Sequence, residues 1–195
     1  MVKVGFICEG DTEFYLLESE AFKQLLQSLN IFPVRVINAR GSGNLLPHNI
    51  AGYINILENE ETEVIVILTD LDDDACITQT KGRISARDQD IVIISVKKIE
   101  AWFLAETITL RQILGQPNFT FAFPENEANP FNTISSLLLE HTDRGVGKSN
   151  STGAKIKLVK RMLDYGFSMQ NASAHANCAS VKYFVDKLAQ IGNPI

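Results

Sequence analysis

Cysteine, histidine and long apolar runs are all scarce in this chain of 195 residues. Cys8, Cys76 and Cys178 stand far apart with no C-x-x-C pair, which argues against a disulfide framework and against a thiolate zinc site. His48, His141 and His175 lack the short fixed intervals of zinc ligands and are expected to be surface or packing residues. No apolar stretch approaches the ~20 residues of a membrane span. The sequence opens directly on an alternating strand, Met1-Val2-Lys3-Val4-Gly5, with no basic-then-apolar leader. A cytoplasmic protein with no membrane partner is therefore expected. What is present is ordinary: 45% hydrophobic and 21% charged residues, enough for one well-buried domain.

The net charge of −5 is unevenly spread. Residues 1–98 carry nine Lys and Arg against fifteen Asp and Glu, whereas residues 99–195 carry nine against eight. Between Asp143 and Asp164, Arg144, Lys148, Lys155, Lys157, Lys160 and Arg161 occur with no acid among them. This stretch is either a solvated helix face or a basic surface for a polyanion, and nucleic acid is the partner it suits.

Periodicity gives the outline. Val2 to Cys8 reads as a strand, and Phe14, Leu17, Ala21, Leu25 and Leu29 then recur at helical spacing. Pro33 to Asn38 reads as a second strand, followed by Arg40-Gly41-Ser42-Gly43 and a helix from about Leu45 to Asn59, with Pro47 in its first turn. The runs Val64 to Leu68 and Ile91 to Val96 are continuous and β-branched, as parallel strands covered on both faces tend to be. Helices are expected over Ala101 to Leu114, Asn132 to His141, Lys155 to Tyr165 and Ser180 to Ile191, with an irregular connection from Gln116 to Asn132. The order predicts an α/β three-layer sandwich with a mainly parallel central sheet and a mostly helical C-terminal portion. Residues 1–110 would form the core and 111–195 an extension packed on it, one structural domain overall.

Acids gather at the expected C-terminal ends of strands: Glu9 after the first, Asp70-Leu71-Asp72-Asp73-Asp74 after the third, and Glu100 just past the fourth. Singly, each has a structural reading, as a strand end, a turn former or a residue of a helix's first turn. Together they would lie on one sheet edge, where crowded carboxylates repel and a cation relieves them. Oxygen donors without histidine suit Mg²⁺ or Mn²⁺ better than zinc.

The motif Glu9-Gly10-Asp11-Thr12-Glu13 after the first strand, with Asp70-Leu71-Asp72 after the third, resembles the Toprim domain of topoisomerases, primases and overcoming-lysogenisation-defect nucleases. With Glu100-Ala101-Trp102 and the tail Ser180 to Leu188, the chain is similar to the stand-alone Toprim-like proteins grouped as domain-of-unknown-function family 4276. The resemblance implies Mg²⁺ at Asp70 and Asp72, with Glu9 as ligand or general acid/base, acting on a phosphodiester. It also implies a nuclease-like role in bacterial defence or nucleic-acid maintenance. A cation there would activate water and offset charge on phosphoryl oxygens. One of Lys97 and Lys98 would add positive charge to that anion, and Glu100 would complete the catalytic set with Glu9.

Other readings remain. A non-catalytic Toprim-like module could bind a metal or a separately encoded partner protein, and a homo-oligomer is compatible with it. Glu9, Asp70, Ser95 and Lys97 also follow the order of a receiver domain, although that reading leaves Asp72 to Asp74 unexplained. Gly145-Val146-Gly147-Lys148-Ser149 lacks the first glycine of a phosphate loop. At the opening motif, Gly10 allows the turn, Asp11 or Thr12 is expected to cap the next helix, and Glu13 either favours that helix start or orients Glu9 through water.

Overall fold

The computed structural model describes residues 1–84, 87, 89–147 and 151–193. Four strands, β1 (Val2–Cys8), β2 (Ile31–Asn38), β3 (Val64–Asp70) and β4 (Ile91–Ser95), form one sheet in the order β2-β1-β3-β4. Every pairing is parallel. Alternation along the strands divides the interior. Val4, Phe6, Cys8, Val66, Leu68 and Ile93 face one core, whereas Ile7, Ile65, Ile67, Val92 and Ile94 face another.

The crossovers follow from this order. α1 (Asp11–Leu17) and α2 (Glu20–Ser28) carry β1 to β2 on one face. α3 (Pro47–Asn59) and α4 (Ile77–Ile84) carry the chain back past β1 to β3 and on to β4 across the other face. The direction of winding reverses at β1, so the C-terminal ends of β1 and β3 flank the crevice where open α/β sheets collect ligands. Gly5 lets α3 sit close, since a Cβ there would stand 2.8 Å from the Leu57 methyls. Pro33 lies on the edge strand β2, where a missing N–H is tolerated.

The remaining helices, α5 (Glu100–Ala105), α6 (Thr107–Leu114), α7 (Pro130–Thr142), α8 (Thr152–Asp164), α9 (Met169–Ser173) and α10 (Ala179–Gly192), contribute to the same core as α1 and α2. That core runs from the sheet through Trp102, Leu158 and Phe184 without interruption. Phe22 and Trp102 stack on Phe184 at 5.9 and 5.7 Å, and the Trp102 indole N–H donates to Ser180 Oγ at 2.7 Å. α8 lies against α1, which carries its N-terminal turn to the sheet edge.

Several expected helices are broken where a polar side chain captures the backbone. Ser19 ends the first by donating to the Leu16 carbonyl and starts α2 by accepting from the Phe22 N–H at 3.2 Å. Glu106 separates α5 from α6, accepting from the Thr109 N–H at 2.6 Å. The expected start at Leu45 is a 3₁₀ turn, Ser42–Leu45, and α3 begins only at Pro47. α4 stands between β3 and β4, with Thr80 and Ile84 buried and Ile84 part of the second core.

Candidate metal centre and cleft

A cleft of about 730 Å³ opens at the C-terminal edge, between the loops after β1, β2 and β4 and the start of α8. Glu9, Glu13 and Asp70 line it with Arg40, Lys98, Ser151, Thr152 and Lys155. Its first wall is the opening motif. Glu9 closes β1 with its N–H on the Leu68 carbonyl, and Gly10, extended at φ −147°, starts α1 without a side-chain cap. The expected cap at Asp11 or Thr12 is not made: Asp11 Oδ1 instead accepts from Asn38 Nδ2 at 2.7 Å, tying the motif to the end of β2.

Glu9 Oε2 accepts from Thr69 Oγ1 at 2.5 Å and from the Asp70 N–H at 3.2 Å, which holds it against the end of β3. Asp70, only 7% exposed, accepts through Oδ1 from the Ile99 N–H at 2.8 Å and from the Ser95 hydroxyl. Among the described residues no donor reaches Glu9 Oε1 or Asp70 Oδ2. Thr69, Ser95 and Ile99 thus fix one oxygen of each acid and leave the other without a donor.

Glu13 and Glu100 complete an acidic floor. Both are buried, at 4% and 0% exposure. Glu100 Oε1 stands 3.2 Å from Lys155 Nζ, yet neither Glu100 oxygen has a well-directed hydrogen bond among the described residues. Burial pushes Glu13 up to about 7, with Glu100 and Glu9 adding to the rise against its own backbone N–H and Lys155. Burial likewise drives Asp70 well above the usual carboxylate range, reinforced by Glu13 and Glu100 and opposed by the Ser95 hydrogen bond. Lys155 is held above its ordinary value: desolvation lowers it, and Glu100 and Asp70 outweigh that loss. Without a cation, this cluster relieves its repulsion by holding protons.

The other expected site residues are spread more widely. Asp72 turns away at φ +50° and reaches Lys98 Nζ at 3.2 Å, half-exposed and outside the cleft lining. Lys97, at φ +61°, contributes its carbonyl to the Asp72 N–H rather than its ammonium to the cleft. Lys98 does line the cleft, and so does Lys155. Of the rest of the basic stretch, Lys157, Lys160 and Arg161 share the outer side of α8 at helical spacing, away from the cleft lining. Arg161 is spent on the Arg144 carbonyl and Thr142, Lys160 lies 4.8 Å over the Tyr15 ring, Arg144 and Lys157 are exposed, and Lys148 lies outside the described residues. Cys8 is fully buried, and burial with the neighbouring Glu13 and Asp11 raises its thiol far above the normal range.

Glu13, expected only to favour the helix start or to orient Glu9 through water, is part of the buried acidic floor, and Arg40 lines the cleft with no role expected from its motif. The signal for Glu13 was its spacing four residues from Glu9 across a helix start, and for Arg40 the signal was weak.

The donor chemistry fits a hard divalent ion: carboxylate oxygens with unused lone pairs and, among the described residues, no histidine or cysteine lining the cleft. Among the described residues no three such side chains already converge on one point. An ion here would therefore use one or two protein carboxylates and complete its shell with water and phosphate oxygens, as Mg²⁺ usually does. In comparison with known proteins, the chain matches no family model, no curated protein and no solved structure.

Proposed function

We propose that this protein is a Mg²⁺- or Mn²⁺-dependent phosphodiesterase of Toprim-like type that acts on nucleic acid. The observation that carries the reading is the pairing of Glu9 with Asp70 at the β1/β3 crevice, each with one oxygen held and, among the described residues, one without a donor. A bound divalent cation would supply Lewis-acid activation of water and offset charge on the phosphoryl oxygens. Glu9 Oε1 would accept a proton from the attacking water, since Thr69 and the Asp70 N–H keep its other oxygen fixed. Asp70 would hold the cation through Oδ2 while Ser95 and Ile99 restrain its rotation. Lys155 would balance Glu100, and Lys98 and Arg40 would draw the phosphate backbone to the rim.

The test is hydrolysis of single- and double-stranded DNA and RNA in Mg²⁺ and in Mn²⁺, beside the Asp70→Asn variant. Cleavage that requires the ion and disappears in the variant is expected. Absence of cleavage, together with calorimetry that finds no ion binding removed by Asp70→Asn, would overturn the reading.

A further inference from the structure

Among the described residues the cleft has three rim cations on three different elements, and two of them are already committed. Lys98 pairs with Asp72 and Lys155 with Glu100, each at 3.2 Å. Arg40, exposed on the loop after β2, meets no carboxylate and makes no side-chain hydrogen bond among the described residues. Its backbone is nonetheless tightly fixed. The Arg40 N–H donates to Asn38 Oδ1 at 2.8 Å, and the next N–H, of Gly41, donates to the Glu9 carbonyl at 2.7 Å. Asn38 in turn holds Asp11 of the opening motif at 2.7 Å.

Arg40 also adopts a left-handed conformation, φ +60°, which glycine would occupy without strain. Glycines stand nearby at 41 and 43, yet an arginine stands here. A guanidinium is suited to bidentate contact with phosphate. The neighbour of Arg40, Gly41, is tied to the Glu9 backbone, so the loop that carries the guanidinium is fixed to the strand end that carries the acidic floor.

We infer that Arg40 is a specificity residue that clamps a second phosphate, next to the one at the carboxylate floor, so that the substrate is a polynucleotide strand rather than a small phosphate ester. This rests on the phosphodiesterase reading above. The floor and its paired lysines serve the reacting phosphate. Arg40, unlike those lysines, meets no carboxylate among the described residues, which leaves its charge open to a further phosphate of the same ligand.

The probe is a fluorescein-labelled single strand with phosphorothioate linkages, in Ca²⁺, with anisotropy followed across a salt series. Arg40→Gly removes the side chain and relaxes the backbone, so the fold is preserved. It is expected to weaken binding about tenfold and to lower the salt slope by about 0.7, the share of one phosphate contact on a single strand. Arg40→Lys keeps the charge and is expected to restore the slope but only part of the affinity. Unchanged affinity and slope in Arg40→Gly, with the wild-type protein binding the strand, would overturn the clamp and leave the phosphodiesterase reading standing. A wild-type protein that does not bind the strand would overturn both.

Discussion

Asp70 and Asp74 stand four residues apart, one ending β3 and the other in the loop beyond it, and their surroundings differ in every respect that matters to a carboxylate. Asp70 is buried beside Glu9, Glu13 and Glu100, and its charge is opposed by theirs. Asp74 accepts from Thr80 at 2.7 Å and from Arg83 at 2.8 Å, which ties the middle and last turn of α4 to the preceding loop. Asp72, between them, makes a half-exposed pair with Lys98. One run of acids therefore contains a member that costs the fold stability and members that hold a turn together. Local stability given up at a cleft is the pattern the proposed metal site would produce.

The comparison breaks first at Asp70. Asp70→Asn keeps the acceptor for Ser95 and Ile99 but removes the ionisable oxygen, and it is expected to reduce ion-dependent hydrolysis by at least about 10³-fold, ~4 kcal/mol in the barrier. Steady-state rates at saturating Mn²⁺ measure this. A loss under tenfold would mean that Asp70 is structural, like Asp74.

The next effect is on folding. Lys155→Met leaves Glu100 buried and uncompensated, and urea unfolding is expected to show a loss of about 3 kcal/mol, at the low end for a buried pair because Lys155 is 35% exposed. The double variant Glu100→Gln with Lys155→Met is expected to recover most of that loss. Equal destabilisation by the double variant would show that packing, not charge, joins α8 to the floor.

A smaller effect follows from pH. Glu13 is raised from 4.5 to about 7 in the folded chain, so between those values the folded state keeps a proton that the unfolded state has released. This contribution is most favourable below about pH 4.5 and declines as pH rises towards 7. Between pH 5.5 and 7.5 it is expected to lower ion-free stability by about 2 kcal/mol relative to Glu13→Gln. Parallel pH profiles for the two proteins would show that Glu13 ionises normally. The smallest effect belongs to Asp72→Ala, which breaks only a half-exposed pair and is expected to change unfolding free energy by under about 1 kcal/mol.

Much of this arrangement was legible in the sequence, for identifiable reasons. The β-branched runs at 64–68 and 91–96 mark strands, and acids directly after them mark the sheet edge. The orientation of Asp72 was not legible, because a D-x-D spacing says nothing of the left-handed turn at φ +50° that swings it towards Lys98. Glu13 was obscured because an acid in a first helical turn already has a local explanation in the helix dipole. Lys155 read as one member of a basic stretch. Only the packing of α8 on α1 separates it from Lys157 and Lys160 and brings it to Glu100. Arg40 carried almost no signal, since a loop residue's worth depends on what its backbone is tied to, here Glu9 and Asn38.

The account stands most directly on one measurement: the shift in melting temperature caused by Mn²⁺ at pH 7.5 and at pH 5.5, for the wild-type protein and Asp70→Asn. An ion at a hundred times its Kd stabilises by about 2.7 kcal/mol, or roughly 5–10 °C for a chain of this size. The account predicts that shift in the wild type at pH 7.5, a much smaller one at pH 5.5 where protons compete for the same carboxylates, and none in Asp70→Asn. A shift of equal size in Asp70→Asn, or no shift in the wild type at either pH, would contradict it.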